Sequence, residues 1–510
     1  MSTSTQTPNP YPWRRALVYG LGISGRAAAA LLRRHGVAVV LVDERPADAL
    51  DLGSLGADPA VEGHFGGVPQ SLAAVTGDGA SSPGVDAVVV SPGVPADRPL
   101  LVDARRQGVS VLAEVELAFR SVDGPVVAIT GSNGKSTTTA MAGAMLRAAG
   151  RRVEVCGNIG EALSSRVMAD EPPGRVFVVE LSSFQLEAVE TFHAGAAALL
   201  NLSPDHLDRH AGYAEYRAAK ERIFERQTAE DLAVLNADDP ELAGLETVAP
   251  VRWFSSRQRV EDGCHLHDGA VWEVGPGGEG ELFRPDDVPL PGPHNLENAM
   301  AAALLARHHG VEPAAIVTAL RDFRGLPHRL ERVRERAGVV WFDDSKGTNL
   351  AATARSLEGF EDGRVHVILG GRYKGGDLGD LCDVVARKAR RAYLIGEAEA
   401  VFAQALADHD VALERLGTLD RAVARIAELA QSGEVAVLSP ACSSFDQFPN
   451  FAERGRIFQR RVRALDPALD LEAVGGGQGA TWTAFPPLRS TPPQRAAQAL
   501  GLVEGGPDGP

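Results

Sequence analysis

Cysteine and long apolar runs are scarce in this chain of 510 residues. The four cysteines, Cys156, Cys264, Cys382 and Cys442, lie far apart and form no C-x-x-C pair, so neither a disulfide framework nor a zinc ribbon is expected. No apolar run approaches the roughly 18 to 20 residues that a membrane-spanning helix needs. Residues 1–12 contain no basic segment leading into an apolar one, as a secretory signal would. We therefore expect a soluble, cytoplasmic protein without a membrane partner.

Basic residues are also in deficit. The chain has 51 Lys and Arg against 67 Asp and Glu, which gives a formal net charge of −16. Because bulk positive charge supplies most non-specific affinity for nucleic acids, no nucleic-acid partner is expected. The length favours about three domains, at roughly 100 to 200 residues for each.

Short apolar runs alternate with Ala- and Leu-rich stretches of helical period from residue 16 onward. This alternation is typical of βαβ units in a mostly parallel sheet, and it falls into three series. Strands are predicted at 16–19, 37–42, 85–90 and 109–112, then at 126–130, 176–180, 196–201 and 232–236, and finally at 339–342, 365–369, 392–395 and 435–438. Residues 264–274 predict a hairpin, because Asp268-Gly269 separates two alternating runs.

These series predict an α/β protein with domains at 15–122, 123–327 and 328–470, preceded by a flexible N-terminus at 1–14. Residues 471–510 are rich in Gly and Pro and lack an apolar period, so a disordered tail is predicted there. Trp482 and Phe485 leave a docking segment open as an alternative, but a tail without function is favoured.

A glycine-rich turn follows the first predicted strand. Gly20, Gly22 and Gly25 let the backbone turn tightly and present N–H groups to a diphosphate, and Asp43 ends the next strand, where it could accept bonds from ribose hydroxyls. Taken alone, this pattern indicates either NAD-type binding or a glycine-rich turn without a ligand.

A sharper signal is the sequence TGSNGKST at residues 130–137, between a predicted strand and a helix. Backbone amides of such a loop hold phosphate oxygens, Lys135 can neutralise the terminal phosphates, and Ser136 or Thr137 can reach Mg²⁺. The spacing is a shortened form of the usual phosphate loop, G-x-x-G-K-[ST].

Four further residues are ambiguous by themselves. Glu180 ends a predicted strand and is either a Mg²⁺ ligand or a solvated acid. His206 and His210 stand four residues apart, but zinc is disfavoured because no third ligand with metal spacing follows. Lys220 lies in an amphipathic stretch, where a lysine is ordinarily solvated.

Many motifs in a fixed order reveal a family resemblance. They are TGSNGKST at 130–137, GNIG at 157–160, ELSSFQLE at 180–187, DHLDRH at 205–210, YRAAKERI at 216–223, HNLENA at 294–299, GLPHR at 325–329, DDSKGTN at 343–349 and SPACSSFDQFPNF at 439–451. Through them residues 17–463 resemble the Mur ligases, and in particular the branch that adds D-glutamate to UDP-N-acetylmuramoyl-L-alanine in peptidoglycan synthesis. The Asn-Pro-Arg turn typical of the sister ligases that add a diamino acid is absent, which favours D-glutamate.

The resemblance implies a Rossmann-like N-terminal domain that binds the UDP precursor, a central P-loop ATPase-like domain that binds ATP, and a Rossmann-like C-terminal domain that binds the amino acid. The glycine-rich turn would then take a uridine diphosphate instead of NAD. The residues implied around it are Ile23, Ser24, Asp43, Glu44, Arg45, Ser91, Pro92, Gly93, Asn158 and Ser182. Glu44 stands where a small hydroxyl residue is expected.

For ATP, the resemblance implies contacts from Gly131, Ser132, Asn133, Gly134, Lys135, Ser136, Thr137, Asn295, Arg329 and Asp344. Two Mg²⁺ ions would be held by Ser136, Glu180, His206 and a carbamate that CO₂ forms on Lys220. The implied catalytic set is Lys135, Glu180, His206, Lys220, Lys346 and Lys374, and the implied D-glutamate contacts are Thr348, Lys374, Ser444 and Phe451. Because a carbamate forms only on a neutral amine, Lys220 should be desolvated or close to other positive charge.

The implied reaction is an ADP-forming amide ligation through an acyl phosphate, with the third domain closing over the central one about a hinge near 325–329. Small-molecule substrates and a monomer are expected. The alternatives left open are a different muramyl-peptide ligase, a folate polyglutamate synthetase, a nucleotide-binding regulator without catalysis and, last, an NAD oxidoreductase.

Overall fold

The computed structural model describes residues 9–76, 84–205, 209–290 and 292–465, which belong to one compact unit. Three sheets follow one another along this unit. The predicted tail at 471–510 lies outside the described residues, as do residues 1–8. Within the described ranges, no helix is both long enough and apolar enough to cross a membrane.

The first sheet has five parallel strands in the order β3-β2-β1-β4-β5. Its strands are β1 Arg15–Tyr19, β2 Ala38–Asp43, β3 Val61–Phe65, β4 Ala87–Val90 and β5 Ser110–Ala113, and its helices are α1 Ile23–Arg34, α2 Ala73–Thr76, α3 Pro99–Arg106 and α4 Glu114–Phe119. The central strand β1 is buried at all five positions, because helices cover both faces of a parallel sheet.

The second sheet has nine strands in the order β14-β13-β12-β11-β10-β9-β6-β8-β7. Its strands are β6 Val126–Thr130, β7 Val153–Gly157, β8 Val176–Glu180, β9 Ala196–Leu199, β10 Leu232–Asn236, β11 Val251–Ser255, β12 Gly263–His267, β13 Ala270–Gly275 and β14 Gly278–Phe283. Its helices are α5 Lys135–Ala148, α6 Leu163–Val167, α7 Ser183–Leu186, α8 Tyr213–Glu221, α9 Pro293–His308 and α10 Pro313–Asp322. The predicted hairpin is confirmed: β12 and β13 pair antiparallel across Asp268 and Gly269, which both have positive φ.

The third sheet has six strands in the order β15-β16-β20-β17-β18-β19, parallel except for β15. Its strands are β15 Glu331–Arg336, β16 Val339–Asp343, β17 Val365–Gly370, β18 Ala389–Ile395, β19 Leu413–Gly417 and β20 Val435–Leu438. Its helices are α11 Leu350–Glu358, α12 Gly379–Lys388, α13 Glu399–Ala405, α14 Leu419–Leu429 and α15 Phe451–Arg463.

Every predicted strand is present within three residues of its predicted bounds. The strands that the apolar pattern missed are nearly all at sheet edges, where one side is exposed and the apolar run is broken. These are β3, β7, β14, β15 and β19, and the interior strand β11 is the exception.

A continuous apolar cluster joins the first and second sheets, with Val18 and Leu117 on one side and Phe177 and Leu186 on the other. Tyr11 is 1% exposed within this cluster, and its hydroxyl donates a hydrogen bond of 3.0 Å to the Leu117 carbonyl. Tyr11, which lies within the segment 1–14 predicted to be flexible, is therefore packed in the core.

Candidate active site

The predicted phosphate loop, residues 130–137, connects β6 to the N-terminus of α5. Asn201 holds this loop through two hydrogen bonds. Oδ1 of Asn201 accepts the Asn133 N–H at 2.8 Å, and Nδ2 of Asn201 donates to the Asn133 carbonyl at 3.1 Å. Gly134 has a φ of +86°, and a Cβ there would lie 2.3 Å from Oδ1 of Asn298. The free N–H groups at the start of α5 make this loop suited to an anion.

Two lysines meet at the carbonyl of Gly131 in this loop. Nζ of Lys135 and Nζ of Lys220 each donate a hydrogen bond of 2.8 Å to that oxygen. Lys220 is only 2% exposed, so the interpretation of this lysine as a solvated helix residue is wrong. Burial lowers the pKa of both amines, and the neighbouring Lys135 charge lowers the pKa of Lys220 further.

Glu180 lies at the end of β8, directly opposite Ile129 in the register of β6. Its Oε1 accepts a hydrogen bond of 2.8 Å from Nδ2 of Asn158, whereas its Oε2 is buried and has no hydrogen-bond partner among the residues that the structure describes. An unpaired buried carboxylate oxygen is costly unless a cation or donor meets it. The predicted ligand His206 lies outside the described residues.

The first cleft lies between the phosphate loop, α9 and the third sheet. Its lining includes Asn133, Gly134, Thr137, Asn201, Phe254, His294, Asn295, Glu297, Asn298, Arg329, Asp344, Lys346, Arg355 and Ser356. The structure thus brings Asn295, Arg329, Asp344 and Lys346 to the phosphate loop from distant parts of the sequence. Burial raises the pKa of Asp344 to about 6 and lowers the pKa of Lys346 to about 8, the latter with help from the Arg329 charge.

Two asparagines at this cleft were not predicted. Asn201 lies just after the end of β9, and Asn298 lies three residues after Asn295 on the same face of α9. Nδ2 of Asn298 donates to Oδ1 of Asn295 at 3.2 Å. The helical spacing from Asn295 was a signal that could have identified Asn298, whereas nothing local identified Asn201.

Arg329 comes from a turn with an uncommon backbone. Its flanking residues His328 and Leu330 have φ of 62° and 44°, and such left-handed non-glycine residues cost about 1–3 kcal/mol each. Nη2 of Arg329 donates to Oγ of Ser136 at 3.0 Å, which joins the third sheet's domain to the phosphate loop. Surrounding contacts must hold this conformation.

The second cleft lies over the glycine-rich turn of the first sheet. Its lining comprises Tyr19, Gly20, Leu21, Gly22, Ile23, Ser24, Asp43, Glu44, Arg45, Ser91, Pro92, Gly93, Val94, Pro95, Arg98 and Asn158. All the predicted UDP-precursor residues except Ser182 therefore line one cleft. Ser182 instead caps α7, where its Oγ accepts the Gln185 N–H.

Asp43 and Glu44 are both committed to protein partners. Asp43 accepts the Leu21 N–H at 2.7 Å and is paired with Arg45; burial alone would raise its pKa, but these hydrogen bonds lower it to about 2. Glu44 accepts from the Tyr19 hydroxyl at 2.9 Å and pairs with Arg98 at 2.8 Å. The unexpected Glu44 thus shapes the cleft through Arg98.

Arg209 connects the central domain to this cleft and was not predicted. Its Nη1 donates to the Pro92 carbonyl at 2.8 Å, and its guanidinium lies 4.2 Å from the centre of the Phe184 ring. His210, the second member of the predicted histidine pair, is hydrogen-bonded within the protein, since its Nε2 lies 3.0 Å from Oγ of Ser183.

The predicted amino-acid contacts follow neighbouring strands of the third sheet. Thr348 lies after β16, Lys374 after β17, and Ser444 and Phe451 after β20. Because β16, β20 and β17 are adjacent and parallel, these segments share one edge of the sheet. Lys374 is exposed, Ser444 is buried, and the Phe451 ring centre lies 5.5 Å from Nζ of Lys346.

Known protein families match three segments of this chain. Residues 14–113 match the N-terminal domain of MurD-like Mur ligases, residues 129–306 the Mur ligase middle domain and residues 328–442 the Mur ligase glutamate ligase domain.

Curated relatives agree over most of the chain. The UDP-N-acetylmuramoylalanine–D-glutamate ligase of Acidobacterium capsulatum is 43% identical, covering 88% of this chain and 96% of the relative. The ligase of the same name from Solibacter usitatus is 43% identical over 89% of this chain and 98% of its own. The solved UDP-N-acetylmuramate–alanine ligase MurC of Thermotoga maritima shares the fold, with a TM-score of 0.57, 20% identity and coverage of 89% of this chain and 100% of that one. The chain belongs to the Mur ligase family.

Proposed function

We propose that this chain is an ATP-dependent, ADP-forming ligase that adds D-glutamate to UDP-N-acetylmuramoyl-L-alanine in peptidoglycan synthesis. The observation that carries the proposal is one hydrogen bond that connects the second cleft to a residue beside the phosphate loop. Asn158 lines the second cleft and donates to Glu180, which lies beside the phosphate loop. A UDP-linked acceptor in the second cleft would therefore extend its free end toward a nucleotide in the first. The curated relatives, which are named for this reaction, support the choice of substrates.

The residues around the phosphate loop fit Mg²⁺ as well as ATP. Glu180 offers a buried oxygen that no other described residue binds, Ser136 offers a hydroxyl, and hard divalent cations prefer such oxygen ligands. We include His206 and a carbamate on Lys220 in the proposed ligand set, for two ions in all. Bound Mg²⁺ would supply positive charge to the phosphate oxygens.

The surroundings of Lys220 support its conversion to a carbamate. Its pKa is lowered well below the usual value by burial and by Lys135, so a fraction of neutral amine is available to attack CO₂. The product would be an anionic oxygen ligand within the phosphate-loop site.

The proposed reaction has two displacement steps. The acceptor carboxylate attacks the γ-phosphorus, so a new O–P bond forms while the bond from that phosphorus to ADP breaks. The amine of D-glutamate then attacks the acyl carbon, forms the amide, and releases orthophosphate and a proton. Lys135 and Arg329 would stabilise charge on the transferred phosphoryl group, and Asn158 would orient Glu180.

The amino acid would bind at the edge of the third sheet through Lys346, Thr348, Lys374, Ser444 and Phe451. Cationic and hydroxyl side chains suit a dicarboxylate. Because an acyl phosphate must be shielded from water, we propose that the third domain closes over the central one, and that the enzyme acts in the cytoplasm, which supplies ATP.

The test is mass analysis of the product formed from ATP, a mixture of amino acids and either UDP-N-acetylmuramoyl-L-alanine or a folate acceptor. We expect a single new product, the UDP-linked acceptor plus glutamate, and D-glutamate alone should support it. A diamino-acid or folate product would replace the proposal with another ligase of the family. ADP formation at an undiminished rate without any amino acid would contradict the closed-domain picture.

A further inference from the structure

The turn that carries Arg329 is fixed by a buried network on its far side. Nδ1 of His328 lies 2.6 Å from Oδ2 of Asp343, and Nε2 of Gln459 donates to the same oxygen at 2.8 Å. Gln459 also donates to Oε2 of Glu331 at 2.9 Å, and this oxygen accepts the His328 N–H at 2.9 Å. The side chains of Asp343 and Glu331, both bound by Gln459, thus hold the residue that precedes Arg329.

The network leaves His328 little room to move. A Cβ on Gly455 of α15 would lie only 2.2 Å from Nδ1 of His328, so this helix lies directly against the ring. The His328 carbonyl accepts the Lys346 N–H at 3.0 Å. One residue therefore anchors both Arg329 and Lys346, which line the first cleft.

The backbone explains why such an anchor is needed. Pro327 followed by His328 at positive φ has the sequence and conformation of a type II turn, whose third position is ordinarily glycine. A histidine adopts this conformation only when its surroundings hold it there. Without the side-chain contacts, the turn would relax and the guanidinium would leave Ser136.

We propose that the His328–Asp343 pair, supported by Gln459 and Glu331, positions Arg329 for the nucleotide. This inference rests on the proposed function, since it assigns the first cleft to ATP. Three of these side chains place possible metal-ligand atoms within 4.8 Å of one another, but each is already engaged in the hydrogen bonds described above. These side chains are positioning residues, because they act through Arg329, which is the residue proposed to contact the nucleotide.

The test is a double-mutant cycle read out by calorimetric binding of ADP, which does not depend on ligation. We expect Asp343→Asn to weaken ADP binding about tenfold, and Arg329→Ala to weaken it at least as much. Combined with Arg329→Ala, Asp343→Asn should add less than about a twofold further loss, because the group it positions is gone. Losses that multiply in the double variant would overturn the inference.

A matched control lies in the same sheet. His366 and Glu434 form a buried pair of 2.8 Å at the start of β20, whereas Asp343 pairs with Leu438 at the end of that strand. Glu434→Gln should lower the melting temperature but leave ADP affinity unchanged. An equal loss of ADP affinity in Glu434→Gln would refute a positioning role.

A second variant protects against misfolding. Gln459→Leu removes the hydrogen bonds to Asp343 and Glu331, and one that Arg463 donates, but keeps the His328–Asp343 pair. It should therefore weaken ADP binding in the same direction by a smaller factor. Unchanged ADP binding in both folded variants would count against the inference. If the variants weaken ADP binding as expected but the parent protein forms no ligation product, the positioning inference stands and only the proposed reaction is refuted.

Discussion

Replacing Asp344 by Asn should stabilise the ligand-free protein near neutral pH while weakening nucleotide binding. Asp344 is 5% exposed and faces the first cleft. Burial raises its pKa from 3.8 to about 6, although hydrogen bonds from Ser439 and Ser356 and the Arg329 charge act in the opposite direction. The ionised carboxyl is thus disfavoured in the folded protein.

The sign and size of the change in stability follow from proton linkage. Because the folded pKa lies above the unfolded one, stability is lost as the pH rises from about 4 to about 6, and the loss is constant above that range. A pKa raised from 3.8 to about 6, at about 1.36 kcal/mol per pKa unit, gives at most about 3 kcal/mol. Asparagine does not ionise, so Asp344→Asn should gain about 1 kcal/mol near pH 4.5 and about 3 kcal/mol near pH 8.

The assay is thermal unfolding of the ligand-free parent and variant across this pH range, with ADP titrations of both. The melting temperature of Asp344→Asn should exceed that of the parent by a margin that grows from acid to neutral pH. A margin independent of pH, or a variant that is less stable at about pH 8, would refute the reasoning from burial.

Three other changes test separate parts of the structure. Gly134→Ala should weaken ADP binding by about tenfold or more, because the new Cβ would clash with Asn298 and the backbone of residue 134 is left-handed. Calorimetry that shows the parental affinity would contradict this. Lys220→Ala should abolish ligation, and short carboxylic acids should partly restore it; a folded variant that no acid restores would leave the carbamate without support. Glu116→Ala should cost about 2–4 kcal/mol of stability, because Oε2 accepts the N–H groups of Glu190, Thr191 and Phe192; a denaturation midpoint like the parent's would rule this out.

The three sheets could be predicted because their interior strands carry their own signal. Strands such as β1 and β6 are buried on both faces, so they appear as unbroken apolar runs. Edge strands such as β15, with the sequence ERVRER, carry no such run and acquire their pairing from a neighbour. Local patterns therefore predicted the centre of each sheet better than its borders.

Short-range motifs also predicted the two glycine-containing turns, because glycine spacing and the start of a helix are local properties. The sequence by itself thus determined the phosphate loop at 130–137 and the glycine-rich turn at 20–25. It could not determine that Lys220 is buried against Gly131, or that Asn158 joins Glu180. Those contacts bring together segments tens of residues apart, and only chain packing selects them. The tertiary structure likewise decided the conformation of His328, since a left-handed histidine is unfavourable alone and is held by Asp343 and Gln459.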